Sequence, residues 1–272
     1  MNKYPDLLPR TISAVVGGLI IVLSLIWSQW GFFAVFLAIS CLTTLEFYSL
    51  MRLQDYVPIR FLGVVIGGLL FIGMFLIEGG YLPSVYHFAL FPLASFVFLI
   101  KLYKKNDVHP FINIALFYLG VLYVAVPFAF TNLLVFYNGR YSYEIILGLL
   151  FLTWTNDIGA YFTGILFGRT KLFERISPKK SWEGSIGGGI ISVLISIVIS
   201  YYFKGLKPLE WFSVSVIVVI AGTYGDLVES YFKRSIQIKN SGSAIPGHGG
   251  FLDRFDSLLI AVPFVVFFLY LF

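Results

Sequence analysis

Five acidic residues, Asp157, Asp226, Glu229, Asp253 and Asp256, fall within or beside strongly apolar stretches of the chain and also cluster near its two basic loops. Asp226 and Glu229 are three apart, as are Asp253 and Asp256, a spacing that puts each pair on one face of a helix. Carboxylates are costly to bring into a membrane, so acids at such positions need a purpose. Oxygen donors without an accompanying cysteine cluster suit a hard cation such as Mg²⁺, which keeps several waters and binds one or two carboxylates together with substrate phosphates. Lys233, Arg234, Lys239 and Arg254 lie among the same acids; cations cannot hold a cation, and they suggest an anion bound beside it. The plainer alternative is that the acids pair with Arg234 and Arg254 as ion pairs at a helix end. Spacing alone leaves both readings open.

The elements that must position these residues follow from composition. Of 272 residues, 58% are hydrophobic, 19% aromatic and 12% charged, against about 25% charged in soluble domains. An ordinary water-soluble globule is excluded. Apolar stretches run over roughly 11 to 27, 31 to 50, 60 to 77, 85 to 103, 112 to 135, 145 to 166, 185 to 203, 210 to 231 and 254 to 272. At about 20 residues per crossing, they leave no room for a separate soluble domain. Runs such as Val15 to Trp27 are continuously apolar, whereas barrel strands alternate in polarity; helices also satisfy every backbone group internally. The expected fold is therefore an all-α polytopic membrane bundle of about nine helices. No small-residue cleavage site follows Trp27, so the first stretch reads as a retained span. Within one membrane domain, residues 1–140 (helices one to five) are expected to serve packing and lipid access, and residues 141–272 (helices six to nine with two loops) catalysis. The single cysteine, Cys41, excludes an internal disulfide and reads as a buried structural thiol.

Basic residues collect in cytoplasmic loops. With the N-terminus cytoplasmic and the C-terminus outside, all 19 Lys and Arg except Arg140, Lys204 and Lys207 fall on the cytoplasmic side. The net charge of +5 thus records topology and gives no sign of nucleic acid. Two loops, about 167 to 184 and 232 to 253, gather the polar residues, and Asp226, Asp253 and Asp256 lie at similar depth beside them. Gly63 with Gly67 and Gly184 with Gly188 fit close helix packing. Glu46, alone in the second span, reads as a structural hydrogen-bonding group.

The second basic loop reads Ser230, Lys233-Arg234, Lys239-Asn240, Pro246-Gly-His-Gly-Gly250 and Asp253-Arg-Phe-Asp256. These residues, at these spacings, closely resemble the signature of the phosphatidate cytidylyltransferase (CDP-diacylglycerol synthase) family. Trp154-Thr-Asn156-Asp157, Gly168-Arg169 and Ser177-Pro-Lys179-Lys180-Ser181-x-Glu183-Gly184 are similar to the family's second block. Together with the polytopic N-terminal half the resemblance covers the chain, although its specific motifs lie in the C-terminal half. One departure stands out: the family has Asp where this chain has Asn240, whose amide can coordinate or hydrogen-bond but carries no charge, so Asn240 is left out of the metal set.

The resemblance implies that phosphatidate attacks the α-phosphorus of CTP in the bilayer, releasing pyrophosphate. It implies Asp226 and Asp253 as ligands of one or two Mg²⁺ ions, with Asp256 as a third ligand or an orienting group. Lys233, Arg234, Lys239 and Arg254 become phosphate contacts, although topology already places basic residues there. The Pro246 to Gly250 turn could form an anion nest or simply turn the chain into the last span; His248, Gly249 and Gly250 could touch substrate there, and His248 could equally orient the turn. Ser177, Lys179, Lys180 and Ser181 could hold the triphosphate or lipid headgroup, and Asn156 and Asp157 could reach the metal site or bond neighbouring helices. A bacterial cytoplasmic membrane, with the site facing the cytoplasm, is the implied location; a homodimer is compatible with it.

Alternatives are a CTP-dependent polyprenol kinase, an ether-lipid cytidylyltransferase and, from another class, a secondary transporter. A transporter would place its ionisable residues near the bilayer midplane, whereas most acids here lie toward one edge. The Asp-Gly-x-x-Ala-Arg motif of enzymes that consume CDP-activated lipids is missing.

Overall fold

The apolar stretches form helices, and residues between them turn. The computed structural model describes residues 7–51, 59–105, 107–239, 241–242 and 249–272, with the side chains of residues 7–10 and 90 outside that description. In chain order the helices are α1 (Leu7–Trp27), α2 (Gln29–Met51), α3 (Arg60–Glu78), α4 (Leu90–Leu102, after a 3₁₀ turn Ser84–Ala89), α5 (Pro110–Gly120), α6 (Val126–Val135), α7 (Glu144–Phe167), α8 (Trp182–Tyr202), α9 (Pro208–Ser235) and α10 (Leu252–Leu271). Strands β1 (Lys171–Phe173) and β2 (Ser177–Ser181) pair antiparallel between α7 and α8. Among the described residues eight helical stretches are long and apolar enough to cross a membrane, and Thr11–Trp27 adds a shorter apolar helix. α5 and α6 are one stretch, Pro110–Val135, joined by a π turn over Val121–Ala125. Pro127 sits just beyond it; a proline cannot donate to the carbonyl four residues earlier, and the ladder widens there.

Packing divides the chain into two units, residues 1–139 with 240–254 and residues 140–239 with 255–272. In the first, the core is aromatic: Phe32 and Phe36 of α2 and Phe71 and Phe75 of α3 are buried. Tyr48 donates its hydroxyl to the Phe117 carbonyl at 2.6 Å. Its ring lies over Gly63 and Gly120, where any Cβ would overlap it. Gly67 likewise faces Ala125, so the Gly63 and Gly67 spacing serves close packing.

In the second unit α7 and α8 approach through glycines. A Cβ at Gly159 would stand 3.0 Å from the Gly188 Cα, and one at Gly184 2.9 Å from the Ala160 carbonyl oxygen. The small-residue spacing of Gly184 and Gly188 is therefore an interhelical seam. Hydroxyls inside the helices bond their own backbone: Thr153 donates to the Leu149 carbonyl at 2.9 Å, which lets a polar side chain sit among apolar ones.

Candidate active site

The hairpin of the second unit is built by its termini. Gly168 is extended and ends α7, and the Glu183 carboxylate accepts the N–H groups of Arg169 and Thr170 at 3.1 Å. Ser181 caps α8, its hydroxyl accepting the Gly184 N–H at 3.1 Å, a contact that satisfies one orphan donor of the first turn. Ser181, expected to meet substrate, is thus a buried helix cap. Between these anchors β1 and β2 pair with Lys171 opposite Ser181 and Phe173 opposite Ser177. Alternation along a strand sends neighbouring side chains to opposite faces. Lys179 is exposed, Ser177 half-buried, and Lys180 turns to the Asp226 carboxylate of α9 and forms an ion pair. The Arg175 guanidinium near the hairpin turn lies 5.8 Å from the Tyr231 ring centre, a second tie to α9.

Asp226 also accepts the Ser230 hydroxyl at 3.2 Å. Beside it Gly225 admits α10: a Cβ there would stand 2.7 Å from the Asp256 carbonyl oxygen and 3.1 Å from the Ser257 Cα. That close approach puts Asp256 in the electrostatic field of Asp226, Asp157 and Lys180. Three carboxylates and one lysine of this unit therefore share a neighbourhood. Asn156, one residue before Asp157, is 5% exposed, and its Oδ1 has no hydrogen-bond partner among the described residues. A buried amide oxygen in that condition calls for a further donor or cation.

Lys233 faces inward. It is 9% exposed and pairs with Glu229, which is fully buried, one helical turn earlier. Arg234 donates to the Ile238 carbonyl at 2.9 Å and closes the end of α9; Lys239 is exposed.

The motif residues of the first unit converge on two carboxylates. Asp253 accepts the N–H groups of Ser241, at 3.0 and 3.3 Å to its two oxygens, and of Gly250, at 3.0 Å. Glu46 of α2 accepts the Ser241 hydroxyl, the Phe251 N–H at 2.8 Å and the Leu252 N–H at 3.3 Å. Gly249 has φ of 84°, a conformation natural to glycine. A Cβ on Gly250 would overlap the Glu46 carboxylate and the Ser241 hydroxyl. Of the Pro246 to Gly250 turn only Gly249 and Gly250 are described; the N–H groups of Gly250 and of the following Phe251 meet the carboxylates of Asp253 and Glu46. Arg254 is exposed. His248 and Asn240 lie outside the described residues.

The donors in the second unit, Asp157, Asp226, Asp256 and the Asn156 amide, are all oxygens, the chemistry a hard divalent ion requires. An ion bound there would also offset the mutual repulsion of neighbouring carboxyl groups. Among the described residues no three acidic, histidine or cysteine side chains already form a ligand cluster. The arrangement offers the donor chemistry of a hard-cation site, without a formed ligand cluster among the described residues.

Known proteins are similar to this chain over most of its length. The sequence model of the cytidylyltransferase family matches residues 8–272. A phosphatidate cytidylyltransferase of Bacillus subtilis (strain 168) is 30% identical over 279 residues, spanning 98% of this chain and 99% of that protein. That of Haemophilus influenzae is 40% identical over 159 residues, or 52% of this chain and 55% of the relative. That of Staphylococcus haemolyticus is 39% identical over 171 residues, 62% of this chain and 64% of the relative.

Proposed function

The chain belongs to the cytidylyltransferase family, and we propose that it transfers the cytidylyl group of CTP to phosphatidate, giving CDP-diacylglycerol and pyrophosphate. The full-length similarity to a phosphatidate cytidylyltransferase supports the substrate pair. The observation that carries the chemistry is the Lys180 and Asp226 pair set beside Asp157 and Asp256 on membrane helices.

A phosphate monoester has a second pKa of about 6 and is largely dianionic at neutral pH. Its oxygen can attack the α-phosphorus directly, the bond to the bridging oxygen of the β-phosphate breaks, and pyrophosphate leaves; no general base is required. What the site must overcome is repulsion between two polyanions. Lys179 and Lys180 on the hairpin supply fixed positive charge, with Arg234 and Lys239 beyond the end of α9 as further phosphate contacts. Asp226 and Asp256, with Asp157, would hold Mg²⁺, which when bound screens the phosphates and stabilises the leaving oxygens. The Asp-Arg-x-Asp motif adds Asp253 to this set by resemblance. Asn156 would orient a substrate group through its buried amide.

A lipid substrate also needs a place for its chain. Beside Leu227, the neighbour of Asp226, an apolar cleft of about 570 Å³ runs between the hairpin, α8 and α9, lined among others by Phe173, Trp182, Ile186, Val219, Ile220 and Tyr224. A second cavity of about 360 Å³ shares Gly189, Val219 and Ile220 and continues toward Phe212. We assign an acyl chain to this path, with the headgroup at Lys180. The asymmetry of basic residues supports a site that faces the cytoplasm.

The test uses purified protein in mixed micelles with Mg²⁺, phosphatidate and CTP labelled at the α-phosphorus. Label is expected in CDP-diacylglycerol, with one pyrophosphate per lipid formed. Transfer of the γ-phosphate with release of CDP, or no CTP turnover at all, would overturn the reading.

A further inference from the structure

Glu46 is the only acid in α2, a helix otherwise of apolar and small polar residues. A carboxylate among them is tolerable only when hydrogen-bonded, and among the described residues its three donors come from one distant segment: the Ser241 hydroxyl and the Phe251 and Leu252 N–H groups. Phe251 and Leu252 open α10, where the first turn has no intrahelical acceptor for its N–H groups. Glu46 therefore caps α10 from another helix, and the negative charge suits that end of the helix dipole. Asp253 ties the same two places by a second route, through the Ser241 and Gly250 N–H groups. Two carboxylates, one on α2 and one on α10, thus latch residue 241 to residues 250–252. Gly242 and Gly250 leave the room: a Cβ on Gly242 would stand 3.3 Å from the Glu46 carboxyl carbon, and one on Gly250 would overlap it.

We propose that Glu46 is a positioning residue for catalysis: it fixes the start of α10, and through that the rotation and height of Asp253 and, one turn on, Asp256. The inference rests on the cytidylyltransferase reading for its consequence, but not for its geometry. Without Glu46 two N–H groups and a hydroxyl lose their acceptor, and the start of α10 can shift. Misplacing catalytic groups by about 1 Å can cost on the order of 100-fold in rate. The effect should fall on kcat, since the displaced acids act on the reacting centre.

Two measurements are made on the full chain in detergent: amide hydrogen exchange of the peptide containing Phe251 and Leu252, and steady-state kinetics with CTP and phosphatidate. Glu46→Ala is expected to raise exchange in that peptide and to lower kcat about 10- to 100-fold, with KM for CTP changed less than about threefold, the pattern of a group acting at the transition state. Glu46→Gln is expected to keep most of the activity, because its amide oxygen can accept one N–H while its NH₂ donates to Ser241. Unchanged exchange in Glu46→Ala overturns the latch. Raised exchange with unchanged kcat overturns the positioning role. If Glu46→Ala cannot be purified folded, Ser241→Ala decides: raised exchange with a fall in kcat of about threefold or more supports the inference, and wild-type exchange and kcat overturn it. If the wild type itself turns over no CTP, the functional reading fails, and exchange in Glu46→Ala alone upholds or overturns the latch.

Discussion

Lys180 of strand β2 forms an ion pair with Asp226 of helix α9, and the two side chains remain 27% and 33% exposed. A pair that wet contributes little to stability, about 0 to 1 kcal/mol. Under the proposed function its value lies in poising a cation and an anion where phosphates would arrive. Asp226→Ala is accordingly expected to leave membrane insertion and Tm nearly unchanged, within a few degrees, while abolishing CDP-diacylglycerol formation. Lys180→Ala should lower kcat/KM for one or both substrates about tenfold or more, the scale of a charged hydrogen bond to phosphate. Thermal unfolding in detergent beside turnover checks both. An activity loss matched by a large drop in Tm would make the pair structural.

Gly225 is the contact that lets α10 reach Asp226, since a Cβ there meets backbone at 2.7 Å. Gly225→Ala should destabilise by about 1 to 3 kcal/mol, as overpacking does, and reduce activity by displacing Asp256. Gly17 of α1 provides the contrast, because a Cβ there would meet no atom within 4 Å. Gly17→Ala is expected to be neutral or slightly stabilising, by up to about 1 kcal/mol. Unfolding midpoints of the two variants against wild type decide the point.

Much of this was open to a reader of the sequence. In a chain with 12% charged residues, each acid in an apolar stretch stands out, which is how Asp226 and Asp256 draw notice, although the three-residue spacings pair them with Glu229 and Asp253 and not with each other. The apolar stretches end within a few residues of the helices for the same reason: length and hydropathy are nearly sufficient in a membrane. Three things could not be read. The β1 and β2 strands are too short and too polar for an alternating pattern. Topology explains which side Lys233 is on but does not reveal that it turns inward to Glu229. Glu46 reads as a structural hydrogen-bonding group, and it is one, but the identity of its donors is hidden because they lie about 200 residues away, and no periodicity reports a contact of that separation. Residues 241–242 and 249–254 of the signature thereby fall in the unit of the N-terminal helices, although the motif reads as part of the C-terminal half.

Acid should weaken the turn between α4 and α5 before other exposed turns. There Lys101 and Asp107 pair with side chains only 1% and 4% exposed, and Asn113 donates to Asp107 at 2.6 Å. Burial opposes ionisation of the Asp107 carboxyl, but the hydrogen bonds of Lys101 and Asn113 and the lysine charge outweigh it and hold the group below the usual carboxylate range. A depressed pKa gives stability that is complete above the unfolded-state value of about 4 and is lost as pH falls through the folded-state value. Asp107→Asn, which leaves Lys101 buried without its anion, should cost about 3 kcal/mol near pH 7. The gap in stability between wild type and variant should shrink as pH drops below about 4. Denaturation of both proteins at pH 7, 5 and 3 measures it, and a gap independent of pH would contradict the assigned ion pair.

The cleft between α8 and α9 makes the lipid, more than the nucleotide, the test of how substrate is held. Ile220 lines both cavities and is 55% exposed, so enlarging it obstructs the path without entering the packed core. Ile220→Trp should raise KM for long-chain phosphatidate by about tenfold, the loss of roughly two buried methylenes at about 0.8 kcal/mol each. A short-chain phosphatidate, whose tail ends before Ile220, should keep its wild-type KM, and KM for CTP should not move. That pattern separates an acyl path from a structural effect, which would change all three together. Equal KM values for both lipids in the variant would remove the chain from this cleft while leaving the chemistry at Lys180 and Asp226 in place.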